Sequence, residues 1–147
     1  MIGKNNPRLG WAVGLLLALV AVMWWLWPQE NVEPPSPQQL YAQYAEAAPS
    51  QTLPTLNQQL LSAPNDPELL RAYGIALMEN GRYEEAALSF DQLSAFPPFA
   101  DEALWHHALL YLKQNQIAES ISVLEQFPAK ARRSQQAQEL LQQLKSL

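Results

Sequence analysis

The sequence predicts an all-α chain: an N-terminal single transmembrane helix followed by a small array of antiparallel helix hairpins. Three observations carry that prediction. Residues 9–27 form one apolar run, and no residue from Leu9 to Gln29 is charged. Beyond residue 37 the apolar side chains recur three and four apart, and no segment shows the period of two of a half-buried strand. Between Asp66 and Phe127 the chain repeats itself at a spacing of 34 residues, as from Leu70 to Leu104.

The apolar run comes first. At the helical rise per residue, residues 9–27 would extend roughly 28 Å, close to the hydrocarbon thickness of a bilayer. Trp11 stands at one end and Trp24, Trp25 and Trp27 at the other, where indoles meet lipid headgroups. A signal peptide shares the basic start and apolar run, but its apolar region is shorter and ends in a small-x-small cleavage site. Here the run ends in Trp-Trp-Leu-Trp-Pro-Gln-Glu, so an uncleaved anchor is expected. Lys4 and Arg8 precede the run, and the next basic residue after it is Arg71, which places residues 1–8 in the cytoplasm and the remainder outside. The expected location is the cytoplasmic (inner) membrane, with the domain in the periplasm if the source is Gram-negative.

Residues 28–37, PQENVEPPSP, hold four prolines and read as a stiff, extended spacer. Residues 38–64 read as a degenerate helical hairpin. Leu40, Tyr41, Tyr44, Ala45 and Ala48 share one face; Leu53, Leu56, Leu60 and Leu61 share another, interrupted at Pro54. Asn65-Asp66-Pro67-Glu68 is a polar cap followed by proline in the first turn, and Asn80-Gly81 stops that helix. A partner helix runs from about Tyr83 to Ser94. The second pair is expected from about Asp101 to Gln114 and from about Ile117 to Gln126, with the turn at Asn115. A last helix begins near Ser134, a candidate cap, and buries Ala137, Leu140, Leu141 and Leu144.

The two pairs align residue by residue. Leu70, Tyr73, Gly74, Leu77, Gly81, Tyr83, Ala86 and Phe90 become Leu104, His107, Ala108, Tyr111, Asn115, Ile117, Ser120 and Leu124. The first set, Leu70-x2-Tyr73-Gly74-x2-Leu77, then Ala86-x3-Phe90, then Pro98, resembles the tetratricopeptide repeat (TPR). Gly74 and Ala86 lack bulk where two helices approach, and Gly81 tolerates a left-handed backbone. The match is close in residues 65–99 and looser in residues 100–128, where His107 and Asn115 depart from the pattern. Residues 129–147 read as the terminal capping helix such arrays need.

The resemblance implies that the first helix of each pair lines a concave, protein-binding face. Opposite the packing positions lie Arg71, Ile75, Met78 and Glu79, with Glu68 beside them, and then Trp105, Leu109, Leu112 and Lys113, with Glu102 beside them. Trp105 is the candidate anchor, because aromatic residues dominate interface hot spots. Ile75 and Leu109 stand where some relatives use polar side chains to grip a terminal carboxylate, so that clamp is not expected. The same face can instead be closed by the C-terminal helix over Leu109 and Leu112, and both arrangements stay open from sequence.

Other function classes find no support. With no cysteine there is no disulfide, thiolate nucleophile or cysteine metal site. His106 and His107 point about 100° apart on a helix and do not chelate one ion. The net charge is −5, and no basic stripe suits nucleic acid. Glu84 with Glu85, and Asp101 with Glu102, sit at helix starts where the dipole favours acids. Neither an enzyme, nor a cofactor or metal, nor a small-molecule substrate is expected.

The expected role is that of a membrane-tethered adaptor or scaffold for a protein partner, another envelope protein, in complex assembly or regulation. The resemblance extends to membrane-anchored repeat proteins of bacterial envelopes, to which LYAQY at Leu40 to Tyr44 is also similar. A second reading makes the chain a structural subunit held through its membrane helix, where Gly10 and Gly14 are spaced for close helix packing, with the domain as spacer or oligomerisation unit.

Overall fold

In the computed structural model, residues 34–46, 49 and 51–147 are described, all within the compact unit Pro34–Leu147, and every regular element among them is helical. The run 9–27 with Trp11, Trp24, Trp25 and Trp27, the pair Gly10 and Gly14, and the spacer up to residue 33 lie outside the described residues. Among the described residues no helix is long and apolar enough to cross a membrane.

Local chemistry sets the boundaries. Helix α1, Pro37–Tyr44, starts from a capping box: the Gln39 amide donates to Ser36 Oγ at 3.3 Å, and the Ser36 amide donates to Gln39 Oε1 at 2.7 Å. It ends at Ala45, whose backbone is extended, so Ala45 is not helical as its apolar spacing suggested. Helix α2, Leu53–Ser62, takes Pro54 into its first turn, where no amide is missed. It buries Leu56, but Leu61 is 77% exposed and does not join Leu53, Leu56 and Leu60 on the inner face.

Helix α3, Pro67–Glu79, is capped by Asp66, whose Oδ1 accepts from the amides of Glu68 and Leu69. Helix α4, Tyr83–Ser94, follows after three residues. A 3₁₀ turn, Pro97–Phe99, leads to α5, Ala100–Lys113, then α6, Ile117–Glu125. Helix α7, Ser134–Lys145, buries Ala137, Leu140 and Leu144. Ser134 is its first residue and does not cap it; Arg133 holds the cap position, and its side chain makes no capping hydrogen bond to the helix amides.

The sequence period is also a backbone period. Gly81 (φ 75°) and Asn115 (φ 61°) are both left-handed. After α3 the Arg82 amide donates to Leu77 O and the Gly81 amide to Met78 O; after α5 the Gln116 amide donates to Tyr111 O and the Asn115 amide to Leu112 O. Both helices thus stop with the same two-bond closure, 34 residues apart, and the short turns make α3 with α4 and α5 with α6 side-by-side hairpins.

Close approach within the first hairpin depends on Gly74. A Cβ there would lie 2.4 Å from the ring of Phe90, which is fully buried. Helix propensity alone predicts that Gly74→Ala stabilises by about 0.5–1 kcal/mol. Overpacking against Phe90 is expected to reverse the sign and leave a net loss of roughly 1–2 kcal/mol. Urea unfolding of the chain in detergent micelles checks this, and a net gain would mean that the Phe90 ring yields freely.

Helices α3 and α4 pack on each other most extensively, then α5 on α6 and α4 on α5. Helix α5 divides the core. Ala103 and Leu110 join Leu70, Ile75, Leu77, Met78, Ala86, Phe90 and Leu93 in one cluster. Trp105, Ala108, Leu109 and Leu112 join Leu40, Leu124, Ala137, Leu140 and Leu144 in the other. Helix α2 packs on α3, whereas α1 makes its main helix contact with α5. Residues 38–64 are therefore two separately docked helices, not a hairpin folded on itself.

Candidate partner-binding face

The eight residues expected to line a concave face do lie on α3 and α5, but not as an open surface. Ile75, Met78, Trp105, Leu109 and Leu112 are at most 3% exposed. Leu109 and Leu112 share a cluster with Ala137, Leu140 and Leu144 of α7, the covering foreseen as one alternative, and also with Leu40 of α1. Tyr41 packs against both clusters, and Leu53 packs against the one that contains Ile75 and Met78.

Trp105 sits in a cage. Tyr44 meets it edge-on at 6.0 Å between ring centroids, Phe127 does so at 6.4 Å, and the Arg133 guanidinium lies 5.4 Å from its centroid. These are favourable aromatic and cation–π geometries. The buried indole Nε1 has no hydrogen-bond partner.

The charged residues of the face close its two ends. At one, Lys113 Nζ lies 2.6 Å from Glu79 Oε2, and Tyr41 Oη donates to Glu79 Oε1. Lys113 also lies over the Tyr41 ring, 4.7 Å from its centroid. Burial alone would push the Glu79 carboxyl up; the hydrogen bonds from Lys113 and Tyr41, with the Lys113 charge, outweigh it and hold the carboxyl below its usual range. Burial, then the bond to Glu79, raises the Tyr41 phenol.

At the other end Glu46, two residues beyond α1, is gripped twice. Arg71 Nη1 donates to its Oε2 at 2.8 Å, and Arg133 Nη2 donates to its Oε1. Arg71 also binds Glu68, and Arg133 Nε donates to Glu102 Oε2 at 3.1 Å. The four side chains Glu46, Arg71, Glu102 and Arg133 are only 16–31% exposed, so water screens these pairs less than surface ones. A hollow of about 430 Å³ opens beside them, its wall carrying Arg71, Arg132 and Arg133 and also Glu46, Glu68, Asp101 and Glu102.

His106 lies under this end. Its ring stacks on Phe90 at 5.0 Å, is 1% exposed, and offers two nitrogens without partners. Burial, with the charges of Arg71, Arg133 and His107, lowers its pKa to about 3, so it is neutral. Glu46, Glu102 and His106 bring three possible metal-ligand atoms within 4.8 Å of one another. Both carboxylates are already engaged by guanidinium groups, which oppose a cation there. His107 points elsewhere, with Nε2 3.1 Å from Asp91.

Sequence reasoning missed Glu46, Arg133 and the direct role of Tyr41 and Tyr44. Glu46 and Arg133 are 87 residues apart, and no periodic signal joins them. Comparison with protein-family models, with curated proteins and with solved structures found no match.

Proposed function

We propose that the chain is a membrane-tethered helical-repeat scaffold, similar to tetratricopeptide proteins, that holds a protein partner outside the cytoplasm during assembly or regulation of an envelope complex. The apolar run 9–27 with its tryptophan flanks and the upstream Lys4 and Arg8 support the tether and its orientation. The observation that carries the binding role is that the face formed by α3, α5 and α7 has an apolar centre and charged ends and already holds a helix, α1, by side-chain chemistry that a partner helix can offer.

The test is photo-crosslinking in intact membranes from two positions. Gln136, exposed beside Arg133, reports on the α1 side; Leu88, 61% exposed on α4, reports on the opposite side. One protein attached from position 136 and not from position 88 is the expected result. Leu61 and Leu88 border an apolar hollow of about 300 Å³ between α2 and α4, which favours a second reading with the contact there. Attachment from position 88 alone would select it. Attachment from neither, with the chain folded, would remove the adaptor reading in favour of a subunit held through its membrane helix.

A further inference from the structure

Helix α1 is held largely by its polar and aromatic side chains. Only Leu40 of its eight residues is fully buried, as only Leu56 is in α2. Tyr44 leans on Trp105 and donates from Oη to Gln143 Oε1 at 3.2 Å; Tyr41 reaches Glu79; Glu46 follows between Arg71 and Arg133. The contacts repeat along the segment as an aliphatic at one position, tyrosines one and four residues on, and a carboxylate six residues on. Most are polar bonds that water, or another chain with the same groups, can replace.

The rest of the domain does not route its packing through α1. Helices α3 to α6 pack on one another in sequence, and α2, the next helix in the chain, docks on α3. An eight-residue helix has little stability of its own, so α1 leaves its seat as coil without having to break a stable element. The proline-rich approach, Pro34, Pro35 and Pro37, prevents the helix from growing backwards to gain further hold. Beside the charged end, a hollow lined by Arg71, Arg132 and Arg133 together with Glu46, Glu68, Asp101 and Glu102 leaves the Glu46 ion pairs open to water, which can replace them.

Building on the adaptor reading, we propose that the α1 seat is the binding site, that its occupant is a partner's short helix with an aliphatic side chain, an aromatic four residues on and a carboxylate two further on, and that α1 is the resident ligand it displaces. Specificity comes from both ends at once. The Leu109 and Leu112 region takes the aliphatic group, Trp105 the aromatic edge, and Arg71 with Arg133 the carboxylate. A segment lacking the acid would leave Arg71 with Glu68 and Arg133 with Glu102 but lose the carboxylate that bridges the two guanidinium groups, which disfavours it. The affinity of a competitor is reduced by the fraction of time α1 is home.

The experiment uses the full chain in lipid nanodiscs and, as probe, a fluorescein-labelled peptide of residues 35–46, PSPQQLYAQYAE. The wild-type chain is expected to bind it weakly. The double variant Leu40→Ala with Glu46→Ala, which loosens α1, is expected to bind at least tenfold more tightly, and adding Arg133→Ala to return it tenfold. Amide exchange of the wild-type chain reads the same event without mutation: α1 amides should exchange at least a hundredfold faster than those of α3 and α5. Equal protection of α1 and α5, loss of domain helicity in the double variant, or a folded double variant that binds no tighter would each overturn the proposal. A protein crosslinked from position 136 that the peptide fails to displace would overturn it while leaving the adaptor reading intact. Peptide binding without any crosslinked protein would overturn both the partner occupant and the adaptor reading.

Discussion

Replacing Trp105 with alanine is expected to lower the unfolding free energy by roughly 3–5 kcal/mol, the usual cost of deleting a buried aromatic. The side chain is fully buried, so its truncation removes the edge contacts to Tyr44 and Phe127 and the stacking of Arg133. The unpartnered Nε1 works in the other direction, because removing a buried donor without an acceptor recovers part of the loss. That places the net cost at the lower end of the range. Trp105→Phe keeps a ring, discards the orphaned N–H and leaves a smaller void, so it should cost less than the alanine variant. The pair of variants, compared by urea titration in micelles with helicity checked by circular dichroism, distinguishes a covered face from an open one. A cost below about 1 kcal/mol for the alanine variant would mean that Trp105 faces solvent and that α1 and α7 do not close over it.

Local chemistry was legible in the sequence; long-range partners were not. The Asp66 cap, Pro67 in the first turn, and Gly81 and Asn115 at the two helix stops act within four or five residues, and the structure uses each as read. Pro37, expected in the spacer, and Pro54, expected as an interruption, both stand instead in the first turn of a helix. Gly74 was likewise read as a close-approach position, and Phe90 fills the space a side chain would need. The 34-residue spacing marked where the hairpins repeat. The errors share a different cause. Periodicity identified Leu40, Tyr41 and Tyr44 as a helix face but not the surface they meet, and chain adjacency suggested α2, whereas α5 offered the better fit. Leu61 has the spacing of a core residue and lies outside because α3 is reached by Leu60. Ser134 has the chemistry of a cap, but the chain enters α7 one residue earlier. The candidate residues lie on α3 and α5, where the periodicity put them, but the Glu46 and Arg133 side chains that flank them are not part of that pattern. Their pairing with each other and with Arg71 and Glu102 is a tertiary outcome that no local window contains.

Acidification from pH 7.5 to pH 5 is expected to cost about 2 kcal/mol of stability through His106 alone. In the unfolded chain this imidazole takes up a proton near its ordinary value of 6.5, whereas in the folded chain burial and the charges of Arg71, Arg133 and His107 lower its pKa to about 3. Between those values the unfolded state binds the extra proton. Stability is therefore complete above about pH 6.5 and is lost progressively as the pH falls toward 3. The groups around the ring agree with this direction in part: Arg71 from α3 and Arg133 before α7 repel the imidazolium, while Glu46 and Glu102 attract it but are already neutralised by those arginines. His107, also lowered by burial although Asp91 opposes the shift, adds a contribution of the same sign. Glu79 has its carboxyl held low and loses its share only at more acidic pH. His106→Phe keeps a ring against Phe90, removes the titration and removes two unpartnered nitrogens. The variant should be more stable than the wild-type chain by about 1 kcal/mol at pH 7.5 and by about 3 kcal/mol at pH 5. Urea midpoints at pH 7.5, 6 and 5 for both chains read the difference directly. Parallel slopes would show that His106 is accessible to protons in the folded chain, which is incompatible with its enclosure between Phe90 and the two arginines.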